Sequence, residues 1–194
     1  MKARGLKDPL IVCSDGNQGV IAAIDTHFTT SYRQRCVKHR TQNILDAVPK
    51  QDHVPVEKIL NQIFYGATSL AQAKQFVAKF KKEFSKKYPT ATERLMTDLD
   101  QCLVFYLFPA HHWRRVRTSN KLERLNKEIK RRFKVIGRHP DEQGCLSLVY
   151  AVTKKYAAQQ NGFKIDDLSR LVWKKLREEK IAMLEQLELD LWAA

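Results

Sequence analysis

Leu10-Ile11-Val12-Cys13-Ser14-Asp15-Gly16 is a short, nearly continuous apolar run that stops at a turn dipeptide. Such a run, rich in branched aliphatics and closed by Asp-Gly, predicts a buried strand followed by a turn. Asn17 to Phe28 then places Val20, Ile21, Ile24 and Phe28 at helical spacing, so a helix comes next. Tyr32 to Cys36 predicts a second strand. Strand, helix, strand is a piece of an α/β sheet. One or two strands do not make a stable sheet. Either the helices do the packing, or other strands of the sheet lie outside these residues.

From Gln42 the character changes. Ile44, Leu45 and Val48 end at Pro49, and Val56, Ile59, Leu60, Ile63 and Phe64 form a stripe before Gly66. Ala71, Phe76, Phe80 and Phe84 form another before Tyr88-Pro89, and Leu95, Leu99, Leu103 and Tyr106 run on to Pro109. Every stripe has the helical period and none alternates like a strand. Two further helices are expected, one from Asp141 to Tyr156 and a long one or a pair from Asp166 to Leu191. The fold class is α/β and predominantly helical. Four segments follow: a strand-helix-strand piece at 1–41, a helical block at 42–110, a basic segment at 111–160 and an amphipathic tail at 161–194.

The chain has 194 residues with a formal charge of +14. Hydrophobic residues at 43 % exclude a disordered chain, and 4 Cys without a framework exclude a disulfide scaffold. No apolar run is long enough for a membrane helix, and the start Met1-Lys2-Ala3-Arg4-Gly5 lacks a signal-peptide core. A soluble protein of a reducing, cytoplasmic compartment is expected. The charge is concentrated: His111 to Arg138 alone carries +9. A local phosphate-binding surface therefore fits better than a diffuse solubility charge, and nucleic acid is the expected partner.

Several residues could carry chemistry. Asp15 ends a buried strand, where open α/β sheets bind ligands, and a carboxylate there suits Mg²⁺. An Asx turn or a helix N-cap explains the same residue. Glu123 is an acid in a strongly basic helix opened by Asn120, which reads either as a metal ligand or as half of a capping box. Cys36 and His39 provide too few ligands for structural zinc. Trp113, among His112, Arg114 and Arg115, could stack on a base or join the core. No phosphate-binding Gly loop, G-x-S-x-G or H-E-x-x-H occurs.

Taken together, Val12–Gly16, Arg35-Cys36-Val37-Lys38-His39, Phe108 to Arg114, and Asn120-Lys121-Leu122-Glu123-Arg124-Leu125-Asn126 with Lys130-Arg131-Arg132 resemble a bacterial insertion-sequence transposase of the Mutator type. The resemblance covers about residues 5–160, in order. It implies a partial ribonuclease-H-like core with a large helical insertion, and a catalytic Asp-Asp-Glu triad. In that triad Asp15 would be the second Asp and Glu123 the Glu, both holding Mg²⁺. Cys36 and His39 match the family's C-x-x-H motif. The residues implied to hold DNA are Trp113, Arg114, Arg115, Arg117, Arg124, Asn126, Lys127, Lys130, Arg131, Arg132 and Lys134. The first Asp has no match at or before Asp8, so the chain is expected to be a truncated transposase, inactive alone. The implied partners are transposon-end DNA and a homo-oligomer or a mixed oligomer with intact transposase, with no membrane. The alternative is a non-enzymatic DNA-binding or oligomerising fragment that modulates such an enzyme.

Overall fold

In the computed structural model, residues 3, 5–138, 140–159 and 165–192 are described. They form two compact units, residues 1–118 with 167–194 and residues 119–166. The boundary at 118/119 lies within the basic segment at 111–160, and residues 167–194 of the tail lie in the first unit.

The first unit opens with β1 (Ile11–Ser14), α1 (Gln18–His27) and β2 (Tyr32–Arg35). The strands pair in parallel with Ile11 opposite Tyr32 and Ser14 opposite Arg35. A parallel pair requires a crossover, and α1 supplies it. The α1 N-terminus is capped by Asn17, whose side chain accepts from Val20 N at 3.3 Å. Among the described residues, β1 and β2 are the whole sheet.

The helical block begins earlier than the stripes predict. Helix α2 (Val37–Leu45) starts directly after Cys36, followed by α3 (His53–Asn61) and α4 (Leu70–Phe84). Ser69 caps α4 by accepting from Gln72 N at 3.2 Å. The run from Leu95 to Tyr106 is not one helix. It is α5 (Pro89–Thr97), then α6 (Leu99–Leu103), then a 3-10 turn at Val104–Leu107. The break falls at Asp98, whose carboxylate is held by two arginines.

The core of this unit lies in the helical block. Val56, Leu60, Ile63, Phe64, Phe80, Leu95 and Phe105 are all fully buried. Burying a large side chain stabilises by roughly 1.5–3 kcal/mol, so these helices, and not the two-stranded sheet, dominate its stability. Gln34, also fully buried, donates from Nε2 to the Cys102 carbonyl at 3.0 Å and accepts from Phe105 N at 2.8 Å. That ties β2 to the helical block. After α7 (Trp113–Val116), the unit is completed by α10 (Asp167–Trp192). The Tyr32 hydroxyl donates to the Leu176 carbonyl at 3.0 Å, Arg177 donates to the Asp8 carbonyl at 3.2 Å, and Leu176 is buried.

The second unit is a helical hairpin of α8 (Asn120–Ile136) and α9 (Glu142–Ala158). Gly137 ends α8 at φ 74°, a conformation that favours glycine. Asp141 caps α9 by accepting from Gly144 N at 2.6 Å. The Tyr156 hydroxyl donates to the Lys121 carbonyl at 3.3 Å, so the end of α9 lies beside the start of α8. Neither helix has a buried residue.

Candidate functional site

Asp15 follows β1 directly and is exposed at the carboxyl end of the parallel pair. Its Oδ1 accepts from Asn17 N at 3.1 Å, so the Asx-turn reading of this residue is realised. Gly16 follows at φ 85°. The guanidinium of Arg35 occupies the place where a side chain at 16 would stand. A Cβ there would meet Arg35 Nη1 at 1.6 Å. Position 16 therefore requires glycine twice, for its backbone and for its neighbour.

Arg35 closes β2, and Arg40 lies in α2. Both are more than nine-tenths buried. Arg35 Nε and Arg40 Nη1 each lie 3.5 Å from the same oxygen, Asp98 Oδ2. The Asn43 amide, turned with its oxygen toward Arg35, accepts from Nη2 at 3.2 Å and donates to the His39 carbonyl at 3.2 Å. Burial lowers the Arg40 pKa. This charge cluster was missed in the sequence, although two arginines flanking Cys36-Val37 at a strand-helix junction were a visible signal.

Cys36 is fully buried at the N-cap of α2, and its N–H donates to the Ser14 carbonyl at 2.7 Å. His39 stands one turn further along. A ring nitrogen of His39 and Cys36 Sγ lie within 4.8 Å, so the helix brings the C-x-x-H pair together. His39 is helical, with the strand β2 ending just before Cys36. The Cys13 thiol hydrogen-bonds with the Cys36 thiol, and this bond, followed by burial, raises its pKa. Burial pushes Cys102 up to about 12. Thiols held protonated in this way are poor nucleophiles.

In the segment before α8, two of the residues implied to hold DNA make local contacts. The indole N–H of Trp113 donates to the Phe108 carbonyl at 2.7 Å, and the ring packs edge-on against Phe105 and Tyr106. Trp113 thus packs against the core, one of the two places open to it from the sequence. Arg117 donates to the Phe64 carbonyl at 3.1 Å and lies 4.3 Å over the Tyr65 ring. Burial lowers its pKa. It too has a structural task. Arg114 is exposed and Arg115 half-buried.

In the second unit, Glu123 sits in the first turn of α8. The cap is Ser119, not Asn120, and the Ser119 hydroxyl donates to Glu123 Oε1 at 2.9 Å. The capping box read at Asn120 and Glu123 is replaced by this local bond. Arg124, Asn126, Lys127, Lys130, Arg131 and Lys134 are exposed on α8, and Arg132 is half-buried. Glu128 accepts from Arg131 at 2.8 and 2.9 Å and from Arg132 at 3.0 Å. These bonds lower its pKa to about 2. Asp15 thus stands in the first unit and Glu123 in the second.

The model of the Mutator family of transposases matches residues 1–161. The chain belongs to this family. It is 32 % identical to the transposase for insertion sequence element IS6120 of Mycolicibacterium smegmatis, over 88 % of this chain and 53 % of that protein. It is 38 % identical to the transposase for element IST2 of Acidithiobacillus ferrooxidans, over 63 % of this chain and 42 % of that one. It is 34 % identical to the transposase for element ISRM5 of Rhizobium meliloti, over 78 % and 38 % respectively. The chain spans about half the length of these transposases, or less. Among the described residues, no helix is long and apolar enough to cross a membrane.

Proposed function

We propose that these residues belong to the catalytic region of a transposase that cuts and joins DNA at the ends of an insertion sequence. The observation that carries this reading is the carboxylate of Asp15 at the carboxyl end of a parallel strand, in a chain of this family. On this reading β1, α1 and β2 are part of a ribonuclease-H-like core, and α2 to α7 are the helical insertion within it. Asp15 and Glu123 are two of the three carboxylates that hold Mg²⁺. The donor set fits, because Mg²⁺ prefers oxygen ligands and Asp15 offers an exposed carboxylate. Held by Asp15 and Glu123, Mg²⁺ would supply charge stabilisation for an attacking and a leaving oxygen. Asn17 orients the Asp15 carboxylate by donating its N–H to Oδ1. The exposed cations Arg124, Lys127, Lys130, Arg131 and Lys134 hold DNA phosphates, with Arg132, Asn126, Arg114 and Arg115 beside them.

With two of three carboxylates, these 194 residues bind a divalent metal weakly and do not transpose DNA by themselves. The purified chain should retain end-sequence DNA in a gel at low salt and leave it uncut in Mg²⁺. Mg²⁺-dependent cleavage by the chain alone would refute the inactivity. A second reading, a non-enzymatic DNA-binding or oligomerising fragment, is favoured by the local bonds both carboxylates make, to Asn17 and to Ser119. It predicts that Asp15→Asn and Glu123→Gln change nothing.

A further inference from the structure

We propose that Arg35 is a positioning residue for the Asp15 turn, and that Asp98 connects it to the helical block. This rests on the reading of Asp15 as a metal carboxylate. The guanidinium of Arg35 lies beside the bare Cα of Gly16, with Nη1, Cζ and Nε at 1.6, 1.9 and 2.6 Å from where a Cβ would stand. It forms the floor of the turn in which Asn17 N–H holds Asp15 Oδ1. The floor is fixed on two further sides. Nη2 donates to Asn43 of α2, and Nε faces Asp98 between α5 and α6.

Asp98 serves two buried guanidinium groups with one oxygen. Two buried cations sharing one carboxylate are held in place by it, and its removal leaves both without their counter-charge. A surface ion pair does not have that effect. Lysine cannot replace Arg35, because a compact ammonium neither stacks on Gly16 nor reaches Asn43 and Asp98 together. The α5–α6 junction, 83 positions from Asp15 in the sequence, thereby sets the conformation of the strand-end turn.

The test uses the full chain with Arg35→Gln, Arg35→Lys, Asp98→Asn and Gly16→Ala. Val77→Ala, in the buried core of α4, is the control for general destabilisation. Two readouts are taken. The first is hydrogen exchange of the Asn17 amide without metal. The second is backbone cleavage beside residue 15 by Fe²⁺ with ascorbate. The four variants should exchange Asn17 about tenfold faster, the effect of losing one hydrogen bond, while Val77→Ala does not. Cleavage beside residue 15 should fall with them. Unchanged Asn17 exchange in Arg35→Gln and Asp98→Asn would overturn the proposal. If the unsubstituted chain shows no cleavage beside residue 15, the metal reading of Asp15 fails, and the exchange comparison still decides the role of Arg35.

Discussion

At the scale of single residues, the local bonds set what each charged group can do. Glu128 is held by Arg131 and Arg132, and its carboxyl lies at about 2 instead of 4.5. Its folded pKa is below the unfolded one, so its contribution is present above about pH 4.5 and lost as pH falls toward 2. The difference in thermal midpoint between the chain and Glu128→Gln should therefore shrink as pH falls through that window. Asp15 and Cys36 were legible from their neighbours, because a strand-end acid and a C-x-x-H spacing are local patterns. The partners of Trp113 and Arg117 were not, although the core was one of the two places open to Trp113. Whether an aromatic or a cation faces solvent depends on partners such as Phe105, Tyr65 and the Phe64 carbonyl, which a local sequence window does not show.

At the scale of elements, periodicity located the helices and missed their ends. The stripe through Phe80 and Phe84 is buried as expected, and Val77 and Ala73 share the buried face, whereas Ala71 is exposed. Helix α2 begins at Val37, earlier than its apolar pattern showed, because the N-cap is a buried cysteine with no capping side chain. The break at Asp98 was invisible as a period. It coincides with a tertiary pairing, the Asp98 carboxylate lying 3.5 Å from both Arg35 and Arg40. Helix α8 carries the proposed DNA-facing cations, so Arg131→Ala with Arg132→Ala should weaken DNA binding. The slope of log affinity against log salt should fall by about 1–2, one step for each phosphate no longer neutralised. Filter binding across a salt titration reads this directly, and an unchanged slope would take these arginines out of the interface.

At the scale of the whole molecule, stability is unevenly spread. The helical block buries Phe64, Phe80 and Phe105 completely, whereas α8 and α9 have no buried residue. Phe80→Ala should cost about 3–5 kcal/mol in denaturant unfolding. Amides of α8 and α9 should exchange well before those of α3 and α4, since segments that bury little apolar surface open most readily. The family was legible because its motifs lie in short segments kept in order, and residues 1–161 match its model. The division at residue 118 was not, because the basic composition runs straight across it.

On the proposed function, Asp15 and Glu123 are metal carboxylates. Mn²⁺ titration followed by electron paramagnetic resonance, on the chain and on Asp15→Asn and Glu123→Gln, tests it most directly. Asparagine at 15 keeps an oxygen for the Asn17 N–H, so the turn survives while the charge is lost. Weak Mn²⁺ binding is expected, displaced by Mg²⁺ and reduced at least several-fold by each substitution. Equal binding by all three proteins, or none by any, would contradict it.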